Sequence, residues 1–409
     1  MAGTRVVAGT RPDEGPTAGS RVGWMDTLRV TAIAGVIVMH AATAYILDVD
    51  WYYQERTTSA LTSTLVAFPA LLGGLFGLGP LFFLAGLLSV ASLARKGPGG
   101  FARGRLLRLG LPLLAFVVLV DPLTDYLGAV AEGEHPRLWA FLADQTGTRD
   151  TGPMWFVALL LLVSLAYAGL RWWRPVRVGI AVGAGRRYLV TAGAAIAIGS
   201  FTVRLLSSLA AETFASLRWA AWPQAIGLFT IGVLAGERGW LEVLDRRLVR
   251  GCGWAAVLAV LGLTALVTAA LLTDRLDDVA GGLTWLSAAF AVLEGLGAVA
   301  LSLWVVVWFR RRWDRRGRLV RRGGRGSYAA YVLHPPVLVV LSMLARPLPV
   351  APEAKFVLVA VSGVAAAFTV GVSLTRLPMI ARLLQSRRAG RQAHQPPGSG
   401  VWLRGGMSP

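Results

Sequence analysis

Ten stretches of this chain are apolar for roughly the 20 residues that a helix needs to cross the hydrocarbon core of a bilayer. They fall at about 27–47, 63–94, 104–124, 154–171, 188–208, 218–236, 252–273, 283–309, 327–345 and 355–376. Runs of this length exceed what a soluble core strand or helix uses, and no long polar domain interrupts them. Only 15% of the 409 residues are charged, against about 25% in soluble domains. The expected fold is therefore an all-α, polytopic membrane helical bundle of about ten transmembrane helices. Disorder, collagen and coiled coil are excluded on the same grounds. A single cysteine, Cys252, excludes a disulfide framework and any cysteine-based zinc site. No metal site is expected.

Charge placement tests the helix count. With the N-terminus set inside and the connections alternating, 33 of the 41 Lys and Arg residues fall inside. Of the 22 Asp and Glu residues, 14 fall outside and 7 inside, and Glu294 lies within a span. The positive-inside rule is obeyed in every comparison. Both termini are expected in the cytoplasm of a bacterial cell whose plasma membrane holds the protein. Residues 1–22 are polar and without an apolar core, and read as a disordered cytoplasmic tail. Residues 23–383 form the transmembrane domain, and 384–409 a second tail. The net charge of +19 sits in short blocks between apolar runs, not on one solvated face, so nucleic acid is not an expected partner. The loop 310–325, with nine arginines and one aspartate, is expected to meet anionic lipid headgroups.

Two spans stand out. The second contains Pro69, Gly73, Gly74, Gly77, Gly79 and Pro80. It reads as a kinked long helix, with a re-entrant cavity wall as the alternative. The first, GWMDTLRVTAIAGVIVMHAATAY, carries Asp26, Arg29 and His40. Ionisable groups inside a bilayer are costly and are functional candidates by default. Arg29 and His40 are 11 residues apart, close to three helical turns, so they share one face and stand roughly 16 Å apart along the axis. That stacking suggests a channel through half the bilayer. The alternative is a snorkelling arginine and a histidine bonded between helices. Imidazole is the side chain best suited to proton transfer near neutral pH. With no serine–histidine–acid triad or HExxH motif present, direct activation of an incoming nucleophile by His40 is the simplest chemistry.

The segment RVGWMDTLRVTAIAGVIVMH resembles the first helix of the membrane-bound acyltransferase 3 family, whose hallmark is an arginine, ten residues, then a histidine. GPLFFLAGLL, FARGRLLRLGLP, GPMWFVALLLL, WPQAIGLFTIGVLAGERGWL and GSYAAYVLHPPVLV resemble further family segments in order. The family's serine-glycine pair reads Ala85-Gly86 here. The resemblance implies transfer of an acyl group, acetyl or succinyl, from cytoplasmic acyl-CoA to a hydroxyl of a surface glycan, a lipid or an exported metabolite. The nearest branch resembles the periplasmic glucan succinyltransferases. Acyl-CoA is then a co-substrate, and no permanently bound cofactor is implied. Arg105 and Arg108 occupy the family's RxxR places, where CoA phosphates would arrive, and arginine suits phosphate. Ordinary positive-inside charge is the other reading of both. Arg29 would hold the pantetheine arm or polarise the thioester carbonyl, and His40 would take the acceptor proton.

Other polar groups are cavity candidates of lower rank. His334, before Pro335-Pro336, reads as a structural histidine, or as a second ring facing the cavity. Glu294, at mid-span, balances Arg29 or an internal histidine, or is structural. Arg204 meets an outside acceptor or anchors the interface. Trp155 lines the outer mouth or belongs to an aromatic belt. A proton-coupled transporter or flippase of glycan or lipid intermediates, with His40 and Glu294 in a relay, is the alternative function. Inverted repeats would favour it, and none is visible.

Overall fold

The computed structural model describes residues 23–47, 49–144, 151–174, 185–206, 219–313 and 317–377. The two expected tails lie outside these, as does part of the arginine-rich loop. Among the described residues there are helices and no strand. The helices are α1 Gly23–Tyr45, α2 Ala60–Phe76, α3 Gly79–Arg105, α4 Leu111–Ala115, α5 Asp121–Glu132, α6 Leu138–Asp144, α7 Trp155–Trp173 and α8 Arg186–Leu206. They continue with α9 Trp222–Glu237, α10 Trp240–Val243, α11 Arg246–Leu272, α12 Leu276–Ala280, α13 Trp285–Arg312, α14 Arg318–Ala345 and α15 Pro352–Leu374.

Among the described residues, nine helical runs are long and apolar enough to span a membrane. One of them, Ala60–Glu132, is 73 residues long and contains the second and third spans expected from sequence. It is not straight. Gly97 adopts φ 68°, ψ 169° in front of Pro98, a conformation that glycine takes at little steric cost. The chain folds back there. Arg105 bonds the hydroxyl of Ser89, 16 residues earlier, at 2.8 Å, a contact that a continuous helix would place about 24 Å apart. The run is thus two antiparallel passes, in agreement with the ten-span reading.

The irregular second span resolves into α2 and α3, divided at Gly77-Leu78. Pro80 has no N–H to continue the ladder. The Leu75 carbonyl freed at the division accepts a hydrogen bond from Gln224 Nε2 at 2.7 Å. A break inside a bundle survives when a neighbouring side chain satisfies the backbone in this way. The returning pass contains two π-helical segments, Leu106–Gly110 and Phe116–Val120. Each is followed at once by a proline step, Leu111-Pro112 and Asp121-Pro122. The wider π turn moves the preceding carbonyls away from a ring that would otherwise clash with them.

Charged contacts fix the up-and-down order of the helices. At one end, Arg171 of α7 pairs with Glu237 of α9, Arg310 of α13 donates to the Leu241 carbonyl, and Asp26 of α1 packs against Gly324 of α14. At the other end, Lys355 of α15 pairs with Glu55 at 2.6 Å and Arg346 donates to the Ala131 carbonyl. α1 and α14 begin, and α15 ends, at the arginine-rich end.

Close helix packing in a bilayer depends on small residues that let backbones meet. α3 and α9 cross where Gly86 faces the Phe229 carbonyl and Gly232 faces the Phe83 carbonyl. A Cβ at Gly232 would overlap the Phe83 carbonyl oxygen, so the helices would have to separate. Gly232→Ala is expected to lower stability by about 1–3 kcal/mol, read as an earlier unfolding transition of the detergent-solubilised protein.

Candidate active site

α1 is unbroken from Gly23 to Tyr45, so Arg29 and His40 do share a face of one rigid helix. His40 points into the bundle. Its Nδ1 lies 3.0 Å from the Val36 carbonyl oxygen, one turn back, and 3.1 Å from Nε2 of His334. His334, on α14, is fully buried, and its Nδ1 lies 2.5 Å from the Tyr331 carbonyl oxygen. Two imidazoles 294 positions apart in sequence therefore meet between α1 and α14. Pro335 and Pro336 lie inside α14 immediately after His334.

Aromatic rings enclose this pair. Trp51 stacks on His40 with ring centroids 4.6 Å apart and planes 23° from parallel. Tyr331 stacks on His334 at 5.6 Å and donates its hydroxyl to the Pro153 carbonyl. Trp155, half-buried, opens α7 two residues later. Trp51 is carried by the connection between α1 and α2, which is tied down at several points. Backbone N–H groups of Glu55 and Thr57 donate to the carbonyls of Ala44 and Tyr45. Tyr52 donates to Asp121, Tyr53 to Glu55 at 2.9 Å, and Thr57 to Glu353. Burial and the neighbouring Glu55 carboxylate push the Tyr53 phenol upward from its ordinary value, so it is a donor throughout the physiological range. Sequence reading passed over Trp51 and its anchors. The cluster WYYQER was the available signal, three aromatics in a connection otherwise short of apolar residues.

Three turns along α1, Arg29 pairs with Asp26 at 3.7 Å. The Arg29 side chain is 42% exposed. Arg105 is near enough to feel the positive charge of Arg29 and Arg108. Its guanidinium is oriented by the Ser89 hydroxyl and by the Phe101 ring, 5.0 Å away. Ser89 lies one turn beyond Ala85 and donates to its carbonyl at 2.7 Å. A hydroxyl is thus present one turn from the Ala85-Gly86 pair, and it holds an arginine. Arg108 lies in the first π segment.

Two candidates stand apart from this line. Glu294 forms an ion pair with Arg204, the two side chains being 1% and 0% exposed. Arg204 also lies over the Phe290 ring at 4.6 Å. Glu294 is therefore not the counter-ion of Arg29, a place that Asp26 takes, and Arg204 is sealed inside the bundle instead of facing an outer acceptor. The reason is solvation. Neither ion meets water in the bundle, and each is the other's compensation. No group of three or more His, Cys, Asp or Glu residues suited to a metal occurs among the described residues.

Comparison with known proteins adds the family. No curated protein and no solved structure matches the chain. Residues 22–376 match the family model of the acyltransferase 3 domain, described as an acyltransferase domain. That match takes in every helix from α1 to α15, and the chain belongs to this family of membrane acyltransferases.

Proposed function

We propose that the protein is an O-acyltransferase of the cell membrane that takes its acyl group from cytoplasmic acyl-CoA and passes it to a hydroxyl acceptor. The observation that carries the reading is the single unbroken helix that holds a partly exposed guanidinium, Arg29, near one end and an imidazole packed against a second helix, His40, near the other. Acyl-CoA would enter at the arginine-rich end, its phosphates held by Arg105, Arg108 and Arg29. About 16 Å along α1 separate Arg29 from His40. That distance gives Arg29 the phosphates and pantetheine arm of the donor, not the reacting carbonyl. The extended arm delivers the thioester to His40. There the acceptor oxygen attacks the thioester carbon as its proton passes to His40, the C–S bond breaks, and the CoA thiolate recovers the proton. The products are an ester and free CoA.

Acetyl and succinyl are the acyl groups favoured, and a surface glycan, a lipid or an exported metabolite is the acceptor. Mass spectrometry of these three classes in cells with and without the gene tests the reading. Loss of one acyl group in the deletion strain is expected. Unchanged acylation, with movement of a glycan or lipid that consumes no acyl-CoA, would replace the enzyme by a transporter.

Arginine bound to a phosphate forms charge-assisted hydrogen bonds, worth about 1.5–3 kcal/mol each. Arg105→Ala should therefore raise KM for acyl-CoA about tenfold or more and change kcat little. Arg105→Lys should recover only part of the loss, because a point charge does not reproduce the fork. Michaelis profiles with acetyl-CoA and succinyl-CoA give both parameters.

A further inference from the structure

At the arginine-rich end of α13, three consecutive arginines close an aromatic stretch, WVVVWFRRR. They do not share one task. Arg310 turns toward the protein and donates to the Leu241 carbonyl. Arg311 and Arg312 are exposed, and no carboxylate among the described residues pairs with either. Helical spacing puts Trp304, Trp308 and this arginine pair one above another on a single face. There an open groove of about 180 Å³ is lined by Val249 of α11 and by Trp304, Val307, Trp308, Arg311 and Arg312 of α13. The two indoles lie 22° from parallel, with ring centroids 6.2 Å apart. Gly253 of α11 lets the Trp304 ring lie close to the α11 backbone, since a Cβ there would stand 2.8 Å from the indole Nε1. Trp308 is 40% exposed. Only 22% of the spanning stretch of α11 is buried, the smallest share among the described spans, so the groove opens at the lipid-facing edge of the bundle. Trp304 lies about 11 Å inward of the arginines. The indoles thus reach acyl-chain depth while the guanidinium rim stays at headgroup depth.

We infer that the groove between α11 and α13 binds one anionic phospholipid, its phosphate held by Arg311 and Arg312 and an acyl chain laid along Trp308, Trp304 and Val307. Charge complementarity selects the occupant. Two guanidiniums without a carboxylate partner call for an anion, and a phosphodiester accepts both forks. A soluble anion would leave the indoles uncovered. A zwitterionic lipid would cover them but bring its own cation beside the phosphate. An amphiphile with net negative charge meets both halves of the groove, and anionic lipids are the ones that basic residues at a membrane surface attract. The site does not overlap the arginines assigned to the acyl donor, which lie on α1 and on the helical run after Gly97. It is therefore independent of the proposed reaction. A lipid seated there touches both helices and ties α11, the most exposed span, to α13.

Native mass spectrometry of the full chain, stripped of lipid in detergent and titrated with phosphatidylglycerol and phosphatidylcholine, tests the site. The wild type should retain one phosphatidylglycerol in preference to phosphatidylcholine, and its melting temperature should rise with phosphatidylglycerol concentration as it does for a ligand of one site. Arg311→Gln with Arg312→Gln should weaken that binding about 30-fold, the worth of two arginines near a phosphate. Both side chains are exposed, so the double variant should fold as the wild type does. Arg246→Gln with Arg250→Gln removes the same charge from the start of α11, also from exposed positions, but outside the groove. It should cost no more than about threefold, the part that screened long-range attraction supplies. Trp308→Ala keeps both charges and should weaken binding about tenfold through lost apolar contact. Glycerol phosphate, the headgroup without chains, should not displace the lipid. Equal losses in the two arginine pairs would reduce the site to diffuse surface charge and overturn the inference. So would equal retention of phosphatidylcholine, wild-type binding by a folded Trp308→Ala protein, or displacement by glycerol phosphate or acetyl-CoA, which would mark a site for a soluble anion or for the donor.

Discussion

His40→Ala is expected to lower kcat for acyl transfer by roughly 10²–10⁴-fold, the usual contribution of a positioned general base, while the protein still inserts and melts as the wild type does. The expectation follows from where the ring sits. His40 is half-buried and lies against His334 and Trp51, so removing it takes away a proton acceptor and a stacking partner but opens no gap between helix backbones. KM for acyl-CoA should change little, since Arg29, assigned to the donor, lies about 16 Å away along α1, and Arg105 and Arg108 lie on the second pass of a different helical run. His40→Gln, which keeps some of the volume and cannot accept the proton as imidazole does, should be as inactive as alanine. Transfer assays with purified protein in nanodiscs, beside a melting curve for each variant, decide the matter. A folded His40→Ala protein with full activity would remove His40 from the chemistry.

The parts of this architecture legible in the sequence are those set by local period and composition. Apolar run length and arginine placement give the number and alternation of the passes. They also locate the reversal near Gly97, where GPGG follows Lys96. The shared face of Arg29 and His40 is a property of one helix, and eleven residues of spacing suffice to place it. What the period of one helix cannot express is which helix lies opposite. The meeting of His40 with His334 joins residues 294 positions apart, and that of Arg204 with Glu294 joins residues 90 apart. Each partner was visible singly as a costly polar group at membrane depth. The pairing depends on how α14 leans on α1 and how α8 leans on α13, and glycine contacts such as Gly193 against Gly295 set the latter. Trp51 escaped for a different reason. It sits in a connection, where neither helical nor strand periodicity applies, and its position is fixed by side-chain ties from its neighbours to Asp121 of α5 and to Glu353 and Lys355 of α15, two distant segments.

The second large effect concerns stability, and it separates the enzyme reading from a proton relay. Arg204 and Glu294 have side chains that are 0% and 1% exposed, so each depends on the other for solvation. Removing one partner leaves an uncompensated buried charge and is expected to cost about 3–5 kcal/mol. Glu294→Ala and Arg204→Ala should each show a much earlier unfolding transition and poor recovery from the membrane. Removing both charges together has a different sign of consequence. A volume-conserving apolar pair, Arg204→Met with Glu294→Leu, deletes both desolvation penalties along with the attraction, and such replacements are often neutral or stabilising by about 1–4 kcal/mol. The double variant should therefore melt at or above the wild-type temperature, although each single variant melts well below it. It should also retain acyl transfer, because the ion pair joins α8 to α13 while the two imidazoles join α1 to α14. A relay that moves protons through Glu294 makes the opposite demand. Under it the double variant would be stable and inactive, and that combination would transfer Glu294 from the scaffold to the chemistry.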